Sequence, residues 1–227
     1  MEIIPGIHQV DGVNGNAYIL DRDSLTVIDT GIPGSGKKIL SYIRDTLHRD
    51  PAEITTVIIT HFHTDHVGGI PALKASAPGL KVAAHAGDAG YISGEEPLPR
   101  HPGINGLILK IFTSVMSTRE AVDIVLSDGD RIAGLLCVHL PGHSPGSIGL
   151  LDETTGTLFC GDLLRFDGRT LSEGPAGFTM DLAASRDSIR KIAALSYEIL
   201  LVGHGTPLRP GASARVREFA GSLPPQP

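Results

Sequence analysis

The run Thr60-His61-Phe62-His63-Thr64-Asp65-His66-Val67-Gly68-Gly69 places three imidazoles and one carboxylate within six residues. Neutral imidazole and ionised carboxylate are donors that Zn(II), Fe(II) and Mn(II) accept, and the run contains no thiolate. His61 and His63 are two apart, so near the end of a strand both can point the same way. Asp65 and His66 follow on the turn and can face a second point close by. A histidine-rich surface loop is the plainer reading, but the density of ligand-type side chains and the Gly-Gly that closes the run argue against it. Three further residues of ligand type stand beside glycines: His143 in Pro141-Gly142-His143-Ser144-Pro145-Gly146, Asp162 after Gly161, and His204 between Gly203 and Gly205. These seven donors exceed the needs of one zinc ion and suffice for two metals that share a bridging carboxylate.

The elements that must position these donors follow from the pattern. Thr56-Val57-Ile58-Ile59-Thr60 is a β-branched run that reads as a buried strand leading into the histidines, and Ile70–Ala75 reads as the first turns of a helix. Upstream, Ala17–Leu20 and Leu25–Ile28 flank the polar turn 21–24, and the second strand runs into Asp29-Thr30-Gly31. Gly34-Ser35-Gly36 then opens a helix with Ile39, Leu40, Ile43 and Leu47 on its apolar face, broken by Pro51. Lys81–His85 is another strand. Gly134–Leu140 leads to His143, and Ile148–Leu151 with Thr157–Cys160 forms a hairpin that ends at Asp162. Asp181 caps a helix over Leu182–Leu195, Ile199–Val202 is a strand that ends at His204, and Ala212–Phe219 is a final helix. The two hairpins that each deliver an aspartate, Asp29 and Asp162, hint at two equivalent β-modules.

The segment 94–116 differs in character. Gly94–Gly103 is too rich in Gly and Pro for regular structure, whereas Ile104–Met116 spaces Leu107, Ile108, Ile111, Phe112 and Val115 at near-helical intervals. A core helix and a pocket lid fit this segment equally well, and an apolar face of this kind also suits a homodimer interface. His85 and His101 have no partner at ligand spacing and read as ordinary polar residues. His8, His48 and His139 read as structural or surface residues.

Composition narrows the class. The 227 residues fit a single domain, with 41% hydrophobic residues, 28 glycines and no tryptophan. A net charge of −6 argues against a nucleic-acid partner and leaves a small-molecule substrate. Cys137 and Cys160 match no metal-binding spacing and lie in apolar strands, so buried free thiols in a reducing compartment are expected. The sequence shows neither a signal peptide nor a membrane-spanning run, which makes a cytoplasmic protein the expectation.

Taken together, His61-x-His63-x-Asp65-His66, His143, Asp162, His204 and the early Asp29 resemble the metallo-β-lactamase superfamily over nearly the whole chain, 1–227. The resemblance implies an α/β fold, the four-layer αβ/βα sandwich. It also implies two divalent ions, one held by His61, His63 and His143 and one by Asp65, His66 and His204, with Asp162 as bridge. Asp29 would support the ligands without binding metal. Two cations about 3.5 Å apart lower the pKa of a bridging water, so a hydroxide attacks the substrate at neutral pH. Asp65 would orient this nucleophile or relay its proton.

Departures from particular branches narrow the substrate. True metallo-β-lactamases generally lack the bridging aspartate and are exported, and flavodiiron proteins carry Glu where this chain has His63. Glyoxalase II-like thioesterases keep all seven ligands, but they normally add a C-terminal helical region that grips glutathione, and only 23 residues follow His204. A small thioester, ester or lactone is the expected substrate of this glyoxalase II-like chain. Lactone hydrolases of the superfamily have a Tyr shortly after the bridging Asp, where this chain has Leu163-Leu164-Arg165-Phe166. Persulfide dioxygenases share the fold and bind one iron through two His and one Asp, here His61, His143 and Asp162. Arg165 and Arg169 suit a substrate carboxylate and equally suit a solvated surface.

Overall fold

A computed structural model describes residues 1–99 and 119–224. They fall into two compact units, Met1–Leu98 with the segment ending at Leu126, and Ser127 onward. The apolar segment 104–116 and His101 lie outside the described residues. Among the described residues no helix is long and apolar enough to cross a membrane.

In the first unit a seven-stranded sheet runs in sequence order: β1 (Glu2–Ile4), β2 (Ile7–Gln9), β3 (Tyr18–Asp21), β4 (Leu25–Ile28), β5 (Ile54–Ile58), β6 (Lys81–His85) and β7 (Ile124–Leu126). The β3–β4 hairpin is antiparallel, with Tyr18 opposite Ile28 and Asp21 opposite Leu25. From β4 onward the pairing is parallel, so helices must carry the chain back between strands. All four residues of β4 are buried, as expected for a strand covered on both faces.

Helix α1 (Gly36–Asp45) returns the chain from β4 to β5 and buries Ile39, Leu40 and Ile43. It stops at Asp45, short of Pro51, and Leu47 therefore lies beyond its end. Pro51 instead opens a 3₁₀ turn that Asp50 and Glu53 close as a capping box. Between β5 and β6 come a single turn α2 (Thr64–Val67) and helix α3 (Ile70–Ser76), which packs on α1. Glycine is required at this step, because a Cβ on Gly69 would lie 2.4 Å from the carbonyl oxygen of Thr30. Helix α4 (Ala86–Ser93) follows β6 directly, with the His85 side chain accepting from Gly87 N at its start.

The second unit contains a five-stranded sheet in the order β14 (Ile199–Leu201), β11 (Thr157–Phe159), β10 (Ile148–Asp152), β9 (Leu135–His139) and β8 (Arg131–Ile132). A small sheet joins β13 (Leu171–Glu173), β12 (Leu164–Phe166) and β15 (His204–Gly205). Helix α5 (Leu182–Ala193) begins at Asp181, whose carboxylate accepts from Ala184 N across 3.0 Å, and α6 (Ala212–Ser222) packs against it. Leu140, Leu158, Leu164, Phe166, Ile189, Ile192 and Leu200 form its core.

The two hairpins use the same local plan. In β3–β4 and in β10–β11 the second strand pairs antiparallel with the first and parallel with the next, β5 or β14. In each case the hairpin ends just before an aspartate, and the parallel partner ends just before a histidine.

Candidate metal centre

The first unit presents its donors where β5 runs out. His61 and His66 are buried, while His63 and Asp65 are partly exposed. Hydrogen-bond partners assign the ring tautomers. The Thr60 hydroxyl donates to Asp29 Oδ2 across 2.7 Å, which leaves its lone pairs to accept from His61 Nδ1 at 3.1 Å. His61 Nε2 is then the lone-pair nitrogen, and His63 Nδ1 lies 3.0 Å from it. Two nitrogens sharing a tetrahedral zinc at about 2.0–2.1 Å would be about 3.3 Å apart, so this pair fits a metal with little adjustment.

His66 is fixed in the same way. Its Nδ1 donates to Asp29 Oδ2 across 2.8 Å, and its Nε2 faces Asp65 Oδ2 at 3.9 Å. Asp29 thus acts on two candidate-ligand imidazoles at once, on His66 directly and on His61 through Thr60, while its Oδ1 accepts from Thr60 N. The loop is also held at Phe62, whose N–H donates to the buried Asp88 at 2.9 Å. Sequence reasoning found Asp29 and missed Thr60 and Asp88. Asp88 was hidden because α4 is short and its glycines mask any helical period.

The second unit presents three donors. Asp162 lies in a 3₁₀ turn after β11, and its Oδ2 is 3.7 Å from His143 Nε2 and 3.5 Å from His204 Nε2. One carboxylate oxygen thus faces both imidazoles. The N-cap of this turn is Cys160, so Asp162 is not spent on capping. His143 Nδ1 lies 3.3 Å from Thr179 Oγ1, and that hydroxyl donates to Pro175 O at 3.1 Å. Thr179 therefore accepts from His143, leaving Nε2 as the lone-pair nitrogen. No sequence signal marks Thr179, which is 36 residues from His143.

The loop that carries His143 depends on Gly142. Its φ is +133°, and a Cβ there would sit 2.2 Å from Ser185 N. Backbone bonds from Met180 N to His143 O and from Asp181 N to Gly142 O tie this loop to the start of α5. The remaining histidines serve elsewhere. His8 packs edge-on against Tyr42 and burial lowers its pKa, and His139 Nε2 lies 2.9 Å from Pro145 O.

Both cysteines are buried free thiols, and burial pushes each thiol up to about 12. Neither is a nucleophile at neutral pH.

Histidine and carboxylate donors delivered at strand ends, with ring tautomers fixed by hydroxyl and carboxylate partners, define a metal-binding α/β protein. The chain belongs to the metallo-beta-lactamase superfamily, whose profile matches residues 10–204. It is 30% identical over 216 residues to YobT of Bacillus subtilis (strain 168), covering 89% of this chain and 88% of that one. It is 28% identical over 227 residues to hydroxyacylglutathione hydrolase GloC of Haemophilus influenzae, covering 98% of each. Among solved structures, TTHA1623 in a di-iron-bound form is 26% identical with a TM-score of 0.69, covering 94% of this chain and 98% of that one. The fold is that of the superfamily, and its members similar to this chain include metal-dependent hydrolases.

Proposed function

We propose that this protein is a binuclear metal-dependent hydrolase of small thioesters or esters, lactones included. The observation that carries the reading is the hydrogen-bond partner at Nδ1 of each of three ligand-type histidines. Thr60 holds His61, Asp29 holds His66 and Thr179 holds His143, each at Nδ1, so each offers Nε2. A metal-ligating histidine has its other ring nitrogen held in this way, and three histidines here share the arrangement. The di-iron form of TTHA1623 and the named activity of GloC support the same reading.

In this proposal His61, His63 and His143 hold one ion, Asp65, His66 and His204 hold the second, and Asp162 bridges them. Zn(II) suits the donors, as do Fe(II) and Mn(II). Bound ions would supply a water acidic enough to attack at neutral pH and a Lewis acid for the carbonyl oxygen. Asp65 stands in the first turn of α2 with its side chain about one-third exposed, where it can orient the attacking water and take its proton. Water adds to the acyl carbon, the carbon–sulfur or carbon–oxygen bond breaks, and the leaving group departs with a proton. The buried thiols exclude a covalent cysteine intermediate.

The test is turnover of a panel of acyl thioesters and lactones by protein reconstituted with Zn(II), Fe(II) or Mn(II). Hydrolysis that a chelator abolishes and added metal restores supports the proposal. Inactivity of every reconstituted form on the whole panel contradicts it.

A further inference from the structure

The small sheet of the second unit carries an arginine that makes no ion pair among the described residues. In β12 the side chains of Leu164 and Phe166 enter the core, so Arg165 between them faces the opposite way. β12 pairs parallel with β15, placing Arg165 opposite His204, and antiparallel with β13, placing it opposite Ser172. Residues paired across neighbouring strands project to the same face, so these three side chains stand together. They line a cleft of about 320 Å³ with Phe166, Asp167 and Thr170.

Among the described residues the Arg165 guanidinium has no hydrogen-bond or ion-pair partner, and its Nε is buried. Residues 100–118 and 225–227 contain no Asp or Glu, so they supply no carboxylate side chain to pair with it. A half-buried cation held in no direct ion pair loses hydration without a contact to offset it. Two other arginines illustrate the contrast: Arg186 pairs with Glu173 at 2.8 Å, and Arg131 with Glu153 at 2.6 Å. Arg169, by contrast with Arg165, lies in the exposed turn after β12.

We propose that Arg165 is a specificity residue that binds a carboxylate carried by the substrate, at the end of the acyl chain remote from the bond that is cut. This rests on the hydrolase reading and narrows its substrates to half-esters or half-thioesters of dicarboxylic acids. His204, a ligand in that reading, stands beside Arg165, so an acyl chain a few carbons long would link the reacting carbonyl to the guanidinium. The planar fork matches a carboxylate. Asp167 lines the same cleft, ionised by the N–H groups of Arg169 and Thr170, and a monoanion meets less repulsion from it than a phosphate dianion would.

Two measurements on the metal-loaded protein test this. The first is calorimetric binding of succinate and of inorganic phosphate to wild type, Arg165→Met and Arg165→Lys. The second is the ratio of kcat/KM for the succinyl and butyryl thioesters of one uncharged thiol. Arg165→Met is expected to weaken succinate binding and to lower that ratio by about 10- to 100-fold, the range of a charged hydrogen bond, with Arg165→Lys in between. Succinate affinity unchanged in Arg165→Met, a ratio unchanged from wild type, or phosphate bound more tightly than succinate would each overturn the assignment. If wild type cleaves neither thioester, the succinyl-thioester assignment is overturned while the hydrolase reading stands or falls on the wider panel, and loss of succinate binding in Arg165→Met would still identify the carboxylate site.

Discussion

The carboxylate of Asp29 accepts from His66 Nδ1 across 2.8 Å, and it does so from a left-handed backbone with φ +56°. Asp and Asn tolerate that conformation better than other non-glycine residues. Asp29→Asn is therefore expected to fold while losing the charge that orients His66, and metal affinity should fall about 10- to 100-fold. Asp29→Ala should lose about 1–2 kcal/mol of stability as well, through backbone strain. Chelator competition and thermal unfolding measure the two effects separately.

Thr179 offers a parallel case in the second unit. Thr179→Val keeps the shape and removes the hydroxyl that accepts from His143, and about a tenfold loss of metal affinity is expected. Thr179→Ser should recover most of that loss. A purely packing role would give the reverse order, with Val close to wild type and Ser impaired.

Gly142→Ala tests the backbone. The added methyl would meet Ser185 N at 2.2 Å, backbone against backbone, and the φ of +133° disfavours any L side chain. A loss of at least about 2 kcal/mol in denaturant unfolding is expected, together with loss of metal through displacement of His143. A variant as stable as wild type would show that the α5 start yields easily.

The thiols give a prediction about pH. Burial, the largest cause, raises both Cys137 and Cys160 to about 12, so the folded protein disfavours the thiolate. Both groups have folded pKa values above their unfolded ones, so they contribute stability that is fully present below pH 8 and is lost as pH rises towards 12. A thiol reagent at pH 8 should label native protein very slowly and two thiols after unfolding. Rapid labelling of the native protein would contradict the burial.

How much of this was legible in the sequence follows from the length of each signal. The strand into the histidines, both hairpins and the Asp181 cap were readable because each spans several residues of one period or carries a specific turn or cap. Strands β1, β2, β7, β8, β12 and β13 were not, since two or three residues without a flanking turn or ligand motif are too few to establish alternation. Of the candidate ligands, His61 and His63 follow β5 as the sequence suggests, Asp65 and His66 lie in α2, Asp162 lies in a 3₁₀ turn and His204 opens β15. Asp88 and Thr179, by contrast, act through contacts that only the tertiary fold creates. Arg165 and Arg169 looked alike as sequence, and only the strand pairing that turns Arg165 towards His204 tells them apart.

The most direct test of the central claim is the metal content of the protein, by elemental analysis after expression with zinc and iron both supplied. Two metal ions per chain are predicted, with His61→Ala and Asp162→Ala each losing bound metal and turnover while keeping the fold by circular dichroism. One iron per chain, with His66→Ala and His204→Ala as active as wild type, would contradict the binuclear account and favour the mononuclear oxygenase of the same superfamily.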